Sequence, residues 1–288
     1  MGTSSQPSPD HASSQGHALA GVDWLDVHFE AERPEYEAIL RSVGLRHGWH
    51  VLDAGCGAGG FLPLIAAEVG PTGRITALDL APENVAVVAQ RVAGWALDCP
   101  VSTRVGSVLD LPLADGGFDA VWCANTSQYL SDDDLRTALA EFRRVLRPGG
   151  LVALKEANGA TWNSGPGGPE RLWRALAATR GIDPQVHGML RTPELRRWLE
   201  AAGYEEVWQR TLICQRWAPL RASERQFYAD VYRWFGRLAA GAALPDEDRA
   251  FWRGMQEPDV PEHPLNRPDF FSFAGQTVVV GRVPRNVG

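Results

Sequence analysis

The stretch VLDAGCGAGGF, Val51–Phe61, decides how the rest of the chain is interpreted. Its first residues, with His50, are a short apolar run that ends in glycines, which predicts a buried strand followed by a tight turn. Gly55, Gly57 and Gly60 form a G-x-G-x-x-G pattern. Such a turn lets a ligand approach the backbone, and the helix that follows offers free N–H groups. Taken alone, the pattern does not say which ligand is held.

Composition limits the function classes. The 288 residues are 44% hydrophobic and carry a net charge of -7, an acidic balance that argues against a nucleic-acid partner. The four cysteines lack C-x-x-C spacing, so we expect neither disulfides nor a metal site, and the cytoplasm fits best. No apolar run is long enough to cross a membrane, so we expect no membrane partner. Residues 1–20, rich in small and polar residues, are expected to form a disordered leader.

After the glycine turn, short apolar runs alternate with amphipathic segments. Strands are predicted at 74–80, 101–107, 118–124, 151–157, 204–217 and 276–284, and helices at 61–69, 82–92, 132–146 and 192–202. This alternation predicts an α/β fold with a parallel sheet. The segment 158–169 is rich in Gly, Pro, Ser and Asn and is expected to be a loop.

Four segments are expected to organise the chain. They are the leader 1–20, an N-terminal helical lid at 21–45, a core at 46–220 and 272–288, and a helical cap insertion at 221–271. In the lid, Pro34 is suited to the first turn of a helix that ends near Val43, after a separate short segment. In the insertion, apolar and aromatic residues recur at helical spacing, which fits a packed cap and also a substrate wall.

Asp53, two positions before Gly55, indicates the ligand. A carboxylate at this position would repel the pyrophosphate of a dinucleotide. It would attract the ammonium and sulfonium of S-adenosylmethionine. A helix N-cap is the alternative role for this residue.

Four motifs then occur in order: VLDAGCGAGG, ALDLAPENV (77–85), VGSVLDLPLADGGFDAVWCANTSQYL (105–130) and RVLRPGGLVALKE (144–156). From Gly48 to Glu156 the chain resembles the class I S-adenosylmethionine-dependent methyltransferases, of the small-molecule, ubiquinone/menaquinone-biosynthesis type. The resemblance implies a Rossmann-like, seven-stranded, mostly parallel sheet in a three-layer α/β/α sandwich with a helical lid. Its last strand would be antiparallel, beside the fifth. The implied cofactor is S-adenosylmethionine, with S-adenosylhomocysteine as product.

The resemblance also implies the cofactor contacts. Asp79 would accept the ribose hydroxyls, a role that would serve NAD equally well. Ser107 departs from the family's usual Gly-Asp-Ala, which puts the adenine contact in doubt. The implied cofactor-binding residues are Asp53, Gly55, Cys56, Gly57, Gly59, Asp79, Leu80, Ser107, Val108, Ala124 and Asn125.

A base is needed only if the acceptor must lose a proton as it attacks. The candidate bases are Glu156, His187, His28 and Tyr129, for which surface or packing roles are the alternatives. His187 is expected in a loop. The candidate substrate contacts are Gln128, Trp162, Phe227, Tyr228 and Trp234.

The expected function is methyl transfer to a small aromatic or apolar metabolite, in secondary metabolism, by a monomer or homodimer. Oxygen is the first choice of acceptor atom, nitrogen the second and carbon the third. The alternatives are a cofactor-binding protein that catalyses a non-methylating step such as cyclisation, and a protein methyltransferase. An NAD-dependent oxidoreductase is the nearest rival enzyme, against which Asp53 and the motif series both count.

Overall fold

A mixed seven-stranded sheet forms the centre of the protein. The computed structural model describes residues 21–164, 170–178 and 183–285, so the expected leader lies outside the described residues. The strands are β1 His50–Ala54, β2 Arg74–Asp79, β3 Val101–Val105, β4 Phe118–Ala124, β5 Leu146–Ser164, β6 Glu205–Trp217 and β7 Phe271–Arg282. Their order is β3-β2-β1-β4-β5-β7-β6. The first five strands are parallel, and β7 lies antiparallel between β5 and β6, which confirms the prediction.

Helices cover both faces of the sheet in the part of the chain that is described. They are α1 Val22–Val43, α2 Leu62–Val69, α3 Pro82–Gly94, α4 Asp132–Val145, α5 Glu170–Ala178, α6 Pro184–Arg191, α7 Leu195–Ala201, α8 Ala222–Gly241 and α9 Asp246–Gly254. The second half of α1 packs with α2 and α3 on one face of the sheet, and α4 and α7 pack on the other. The predicted three-layer arrangement is therefore confirmed.

Neighbouring residues of the central strands enter different cores because side chains alternate along a strand. Val51 and Leu52 are each fully buried, but they belong to opposite faces of the sheet. Val152 and Ala153 divide in the same way. Burial on both faces explains why these strands are continuous apolar runs in the sequence.

Two local predictions were wrong. Helix α1 is continuous through Pro34, because Ala31, Tyr36 and Ile39 on either side of the proline are buried by tertiary packing. Strand β5 continues through the first part of the expected loop to Ser164, because residues 163 and 164 pair with β7 after a bulge. The rest of that expected loop, 165–169, lies outside the described residues.

A separate aromatic core joins α5, α6, α8 and α9, and the first half of α1 packs against it. Arg216 on β6 ties the two long helices to the sheet. Its guanidinium donates to both carboxylate oxygens of Glu35 on α1, at 2.8 and 2.7 Å, and pairs with Glu224 on α8 at 2.8 Å. These contacts place α1 and α8 side by side, and the division into lid, core and cap stays a prediction.

Candidate functional site

A cavity of about 430 Å³ lies beyond the carboxyl ends of the central parallel strands. The strand order reverses at β1, and ligands of open α/β sheets bind at such a switch point. One half of the cavity is lined by the glycine turn, the end of β2 and the loop after β3. The other half is lined by α1, α6 and α8. The turn that follows β4 lies between the two halves.

The glycine turn needs its glycines. Gly55 and Gly57 have φ of 80° and 52°, a region that other residues rarely adopt. A Cβ at Gly55 would lie 2.2 Å from Oγ1 of Thr126, so a side chain has no room there. The N–H groups of Gly55 and Cys56 donate to the carbonyl of Leu78 at 2.8 and 3.0 Å. The turn is thereby held against the end of β2.

Helix α1 lies directly over this turn. A Cβ at Gly57 would be 3.1 Å from Cδ1 of Leu25, and one at Gly60 would be 2.7 Å from the ring of Phe29. Arg91 on α3 donates to both carboxylate oxygens of Asp26 on α1, at 2.7 and 2.5 Å. A ligand at the turn would therefore lie beneath α1.

Asp53 lines the cavity as a buried carboxyl group with no counter-ion among the described residues. It is 2% exposed, and its Oδ2 atom has no hydrogen-bond partner within the described chain. Burial, and then the charge of Asp79, raises the pKa of Asp53 to about 8. A buried carboxylate of this kind is stabilised by a cation and destabilised by an anion. The arrangement fits the ammonium of an amino-acid ligand and opposes a pyrophosphate.

Asp79 holds the glycine turn through hydrogen bonds, and its carboxylate can accept further ones. Its Oδ2 accepts from the N–H of Gly57 at 2.8 Å, and its Oδ1 accepts from the N–H of Ala81 at 2.9 Å and from Nδ2 of Asn84 at 3.2 Å. Burial raises its pKa, although these hydrogen bonds act in the opposite direction. A carboxylate has about four lone-pair sites, so hydroxyl groups of a ligand could still donate to it.

Leu80, Ser107 and Val108 form the outer part of this half. Leu80 is 40% exposed, an apolar surface against which a flat ring could pack. The hydroxyl oxygen of Ser107 accepts from the N–H of Leu109 at 3.1 Å, and its own hydrogen can still donate. An adenine contact by these residues stays a prediction.

Asn125 occupies the junction between the two halves, next to Ala124. It has a φ of 53°, uncommon for a residue other than glycine and often found at functional sites. Its Oδ1 accepts from Nζ of Lys155 at 2.7 Å, and its Nδ2 donates to the hydroxyl of Tyr36 at 3.4 Å. Lys155 is fully buried, and burial lowers its pKa to about 8. This lysine fixes which end of the Asn125 amide carries the hydrogens.

Aromatic rings wall the second half. The rings of Trp24, His28 and Phe227 lie within 29° of parallel, with centroids 5.1 to 5.8 Å apart. Trp162 and Trp234 line the same half. Such walls suit a planar, largely apolar molecule.

His28 and Tyr129 are the two candidate bases that the structure brings to the cavity. Nε2 of His28 lies 2.8 Å from the hydroxyl of Tyr36, and burial, with the charge of Lys155, lowers the pKa of His28 to about 3. Burial, and then the charge of Glu156, raises the pKa of Tyr129 to about 12. Both side chains are therefore neutral near pH 7.

The other two candidate bases do not line the cavity. Glu156 is fully buried, and its Oε1 accepts from the N–H groups of Thr126 and Ser127 at 3.1 and 2.7 Å, so it supports the turn after β4. Burial raises its pKa to about 7. The loop predicted around His187 was wrong, because this residue lies in α6. Its side chain is 47% exposed and lies 3.1 Å from a carboxylate oxygen of Asp132, in a separate surface depression.

Two further predicted contacts also lie behind the cavity wall. A Cβ at Gly59 would meet Leu62 and Val88 at 3.0 and 3.2 Å, so this glycine serves helix packing. Tyr228 is 2% exposed and packs on Phe270 in the cap core. The remaining predicted cofactor and substrate residues all line the cavity.

Sequence reasoning missed three polar residues at or beneath the acceptor half: Tyr36, Lys155 and Gln276. A signal existed for Lys155, since a charged pair interrupts the apolar run LVALKEA in a strand predicted to be buried. Tyr36 shares a helix face with apolar residues, so the sequence pattern indicates a core residue there. Gln276 follows a glycine at the start of an apolar strand and gave no signal.

Comparisons with known proteins agree with this geometry. Residues 51–150 match the family model for a methyltransferase domain. The chain is 36% identical over 146 residues to an uncharacterised 37.1 kDa protein in transposon TN4556 of Streptomyces fradiae, covering 50% of this chain and 40% of that one. It is 30% identical over 139 residues to a demethylmenaquinone methyltransferase of Staphylococcus aureus, covering 47% and 54%.

A solved structure shows the same fold over most of the chain. A putative methyltransferase from Bacillus halodurans matches with a TM-score of 0.53 and 18% identity, over 86% of this chain and 98% of that one. Residues 51–150 are therefore similar to a methyltransferase domain, and the fold of the described chain is that of a putative methyltransferase. The matched stretches span about half the length of the curated relatives.

Two features are absent from the described residues. None of their helices has the length and apolar character needed to cross a bilayer. The same residues contain no cluster of three or more His, Cys, Asp or Glu side chains that could hold a metal ion.

Proposed function

We propose that this chain transfers the methyl group of S-adenosylmethionine to a small, planar and largely apolar metabolite. The observation that carries the proposal is the unpaired, buried Oδ2 of Asp53, in a cavity whose other half has aromatic walls. An isolated buried carboxylate is costly unless a cation neutralises it. The amino-acid part of S-adenosylmethionine supplies such a cation.

In this proposal the chain binds and orients its two ligands and keeps water away. Asp53 and the turn at Gly55 and Gly57 hold the amino-acid part, and Asp79 accepts the ribose hydroxyls. S-adenosylmethionine supplies a methyl group already activated by a positively charged sulfur. The protein's own contribution is therefore proximity and a dry cavity.

The acceptor lies among the rings of α1 and α8. Trp24, Trp162, Phe227 and Trp234 provide faces for it, and Gln128 and Asn125 provide polar contacts beside the transferred group. We propose a small-molecule acceptor rather than a protein because α1 and α8, tied together through Arg216, cover this half. The proposed setting is the cytoplasm, in secondary metabolism, with the chain as a monomer or homodimer.

The proposal is tested by following a labelled methyl group. The full chain is incubated with S-adenosylmethionine carrying the label, with a panel of aromatic amines, phenols and alcohols, and with a protein extract in a parallel reaction. We expect label in a small molecule from the wild-type chain and at least tenfold less from Asp53→Asn. Label found only in protein would favour protein methylation. Tight binding without any transfer would favour a non-methylating reaction.

A further inference from the structure

We propose that the atom methylated by this chain is an amine nitrogen on an aromatic skeleton, an inference that rests on the proposed methyl transfer. The observation behind it concerns the unsatisfied polar atoms of the acceptor half. Gln128 and Gln276 both line the cavity, and the Oε1 atom of each is buried without a hydrogen-bond partner among the residues described. Both atoms can only accept hydrogen bonds.

Neighbouring groups fix the orientation of the two amides. Nε2 of Gln128 donates to the carbonyl of Asn125 at 3.3 Å, and Nε2 of Gln276 donates to the carboxylate of Glu32. Gln128 and Gln276 are 5% and 2% exposed, so bulk water does not reach them freely. A buried acceptor without a donor is costly, and a ligand that supplies N–H or O–H groups removes that cost.

The number of donors favours an amine over a hydroxyl. A neutral primary amine carries two N–H donors, whereas a hydroxyl carries one. A phenolate carries none and would place its negative charge towards the oxygens of Gln128 and Gln276. Two buried acceptors in one cavity therefore favour a ligand with more than one donor, as a nitrogen ligand has.

The fate of the proton points to the same atom. An aliphatic hydroxyl must lose its proton as it attacks. His28 is too weak a base for this and Tyr129 remains protonated, given pKa values of about 3 and about 12. A neutral amine, such as an arylamine near pH 7, attacks through its lone pair: the N–C bond forms, the S–C bond breaks, and the electron pair of that bond stays on sulfur. The nitrogen keeps its hydrogens and leaves as an ammonium, which later loses a proton to water.

The cavity can hold that positive charge. Trp24 and Phe227 line the cavity, and aromatic rings attract cations. The buried carboxyl group of Glu32 lies behind Gln276. On α8, Asp230 pairs with Arg233 at 2.6 Å, and Arg237 is exposed, so solvent screens its positive charge. Lys155 beneath this half acts in the opposite direction and is bonded to Asn125. The N–H donors of the ligand and the aromatic rings of the cavity are therefore the main basis on which an amine is selected.

The test compares two probes of the same shape. Binding of 4-methylaniline and of 4-methylphenol, both uncharged at pH 8, to the full chain, saturated with S-adenosylhomocysteine, is measured by calorimetry at that pH. We expect the amine to bind at least about tenfold more tightly. Gln128→Leu and Gln276→Leu should each reduce this preference by at least about threefold. Gln215→Leu, at an exposed position of β6 outside the cavity, is the matched control and should leave it unchanged.

The inference would be overturned by equal affinities, by a preference for the phenol or by no saturable binding of the amine. A preference unaffected by both cavity variants would overturn it as well. Its failure is distinguishable from failure of the proposed function. If S-adenosylhomocysteine binds and phenols or alcohols are methylated, only the amine assignment falls. If S-adenosylhomocysteine does not bind, the proposed methyl transfer falls with it.

Discussion

The affinity of the chain for S-adenosylhomocysteine should depend steeply on pH, because Asp53 must ionise before it can pair with the ligand's ammonium. Burial raises the pKa of Asp53 in the free protein to about 8. Near neutral pH most molecules therefore carry a neutral carboxyl group there. Binding must release that proton, since the ammonium of the ligand stabilises the carboxylate.

The size of the effect follows from the ionised fraction. With a pKa near 8, the ionised fraction of Asp53 is about 1% at pH 6.0 and about 24% at pH 7.5. Affinity should accordingly rise by about 20-fold between these values, with about 0.9 proton released per ligand at pH 7. The range ends at 7.5 so that the ligand's own amino group stays protonated throughout.

Calorimetry in two buffers of different ionisation enthalpy measures both the affinity and the released proton. Asp53→Asn is the control, since it cannot ionise and keeps nearly the same shape. It should bind at least about tenfold more weakly at pH 7.5 and lose most of the pH dependence. An affinity that is flat between pH 6.0 and 7.5 in the wild type, or an equal slope in the variant, would refute the role given to Asp53.

Three further outcomes are expected. Burial raises the pKa of Asp53 in the folded state to about 8, so the stability tied to this group is fully present below its ordinary value of 3.8 and is lost as pH rises from there to about 8. The Tm of Asp53→Asn relative to the wild type should therefore be higher at pH 9 than at pH 5, and a relative Tm that does not rise with pH would contradict this. Gly55→Ala should lower the free energy of unfolding by about 1–3 kcal/mol, because Gly55 has a positive φ and a Cβ there would contact Thr126. Denaturant titration measures this loss, and calorimetry should show that ligand binding is lost as well. Once an acceptor is known, His187→Ala should leave kcat and KM within about twofold of the wild type, since this side chain lies outside the cavity. A loss of kcat of more than about tenfold would restore His187 as a candidate base.

The central strands and the glycine turn could be predicted because their signals are local. Burial on both faces makes β1 and β4 continuous apolar runs, and positive φ makes Gly55 and Gly57 the fitting residues for their positions. The path of α1 could not be predicted in the same way. Pro34 is a local signal for the start of a helix, and packing of Tyr36 and its neighbours against the sheet and cap joins that helix to the segment before it.

The acceptor half was predicted only in part, because distant segments build it. Gln276 reaches the cavity through the pairing of β7 with β5, in which it lies opposite Ala157. Its partner Glu32 is 244 residues away in the chain. Periodicity does identify the aromatic stripe of α8, but it cannot say that Phe227 faces the cavity while Tyr228 packs inside the cap. That distinction needs the position of α1.

The most direct test of the account is calorimetry of the full chain with S-adenosylhomocysteine and, separately, with NAD, for the wild type and for Asp79→Ala. We expect micromolar binding of S-adenosylhomocysteine, no measurable binding of NAD, and at least about a tenfold loss in the variant, which lacks the acceptor proposed for the ribose hydroxyls. Binding of NAD in place of S-adenosylhomocysteine would contradict the interpretation of Asp53 and of the chemistry built on it.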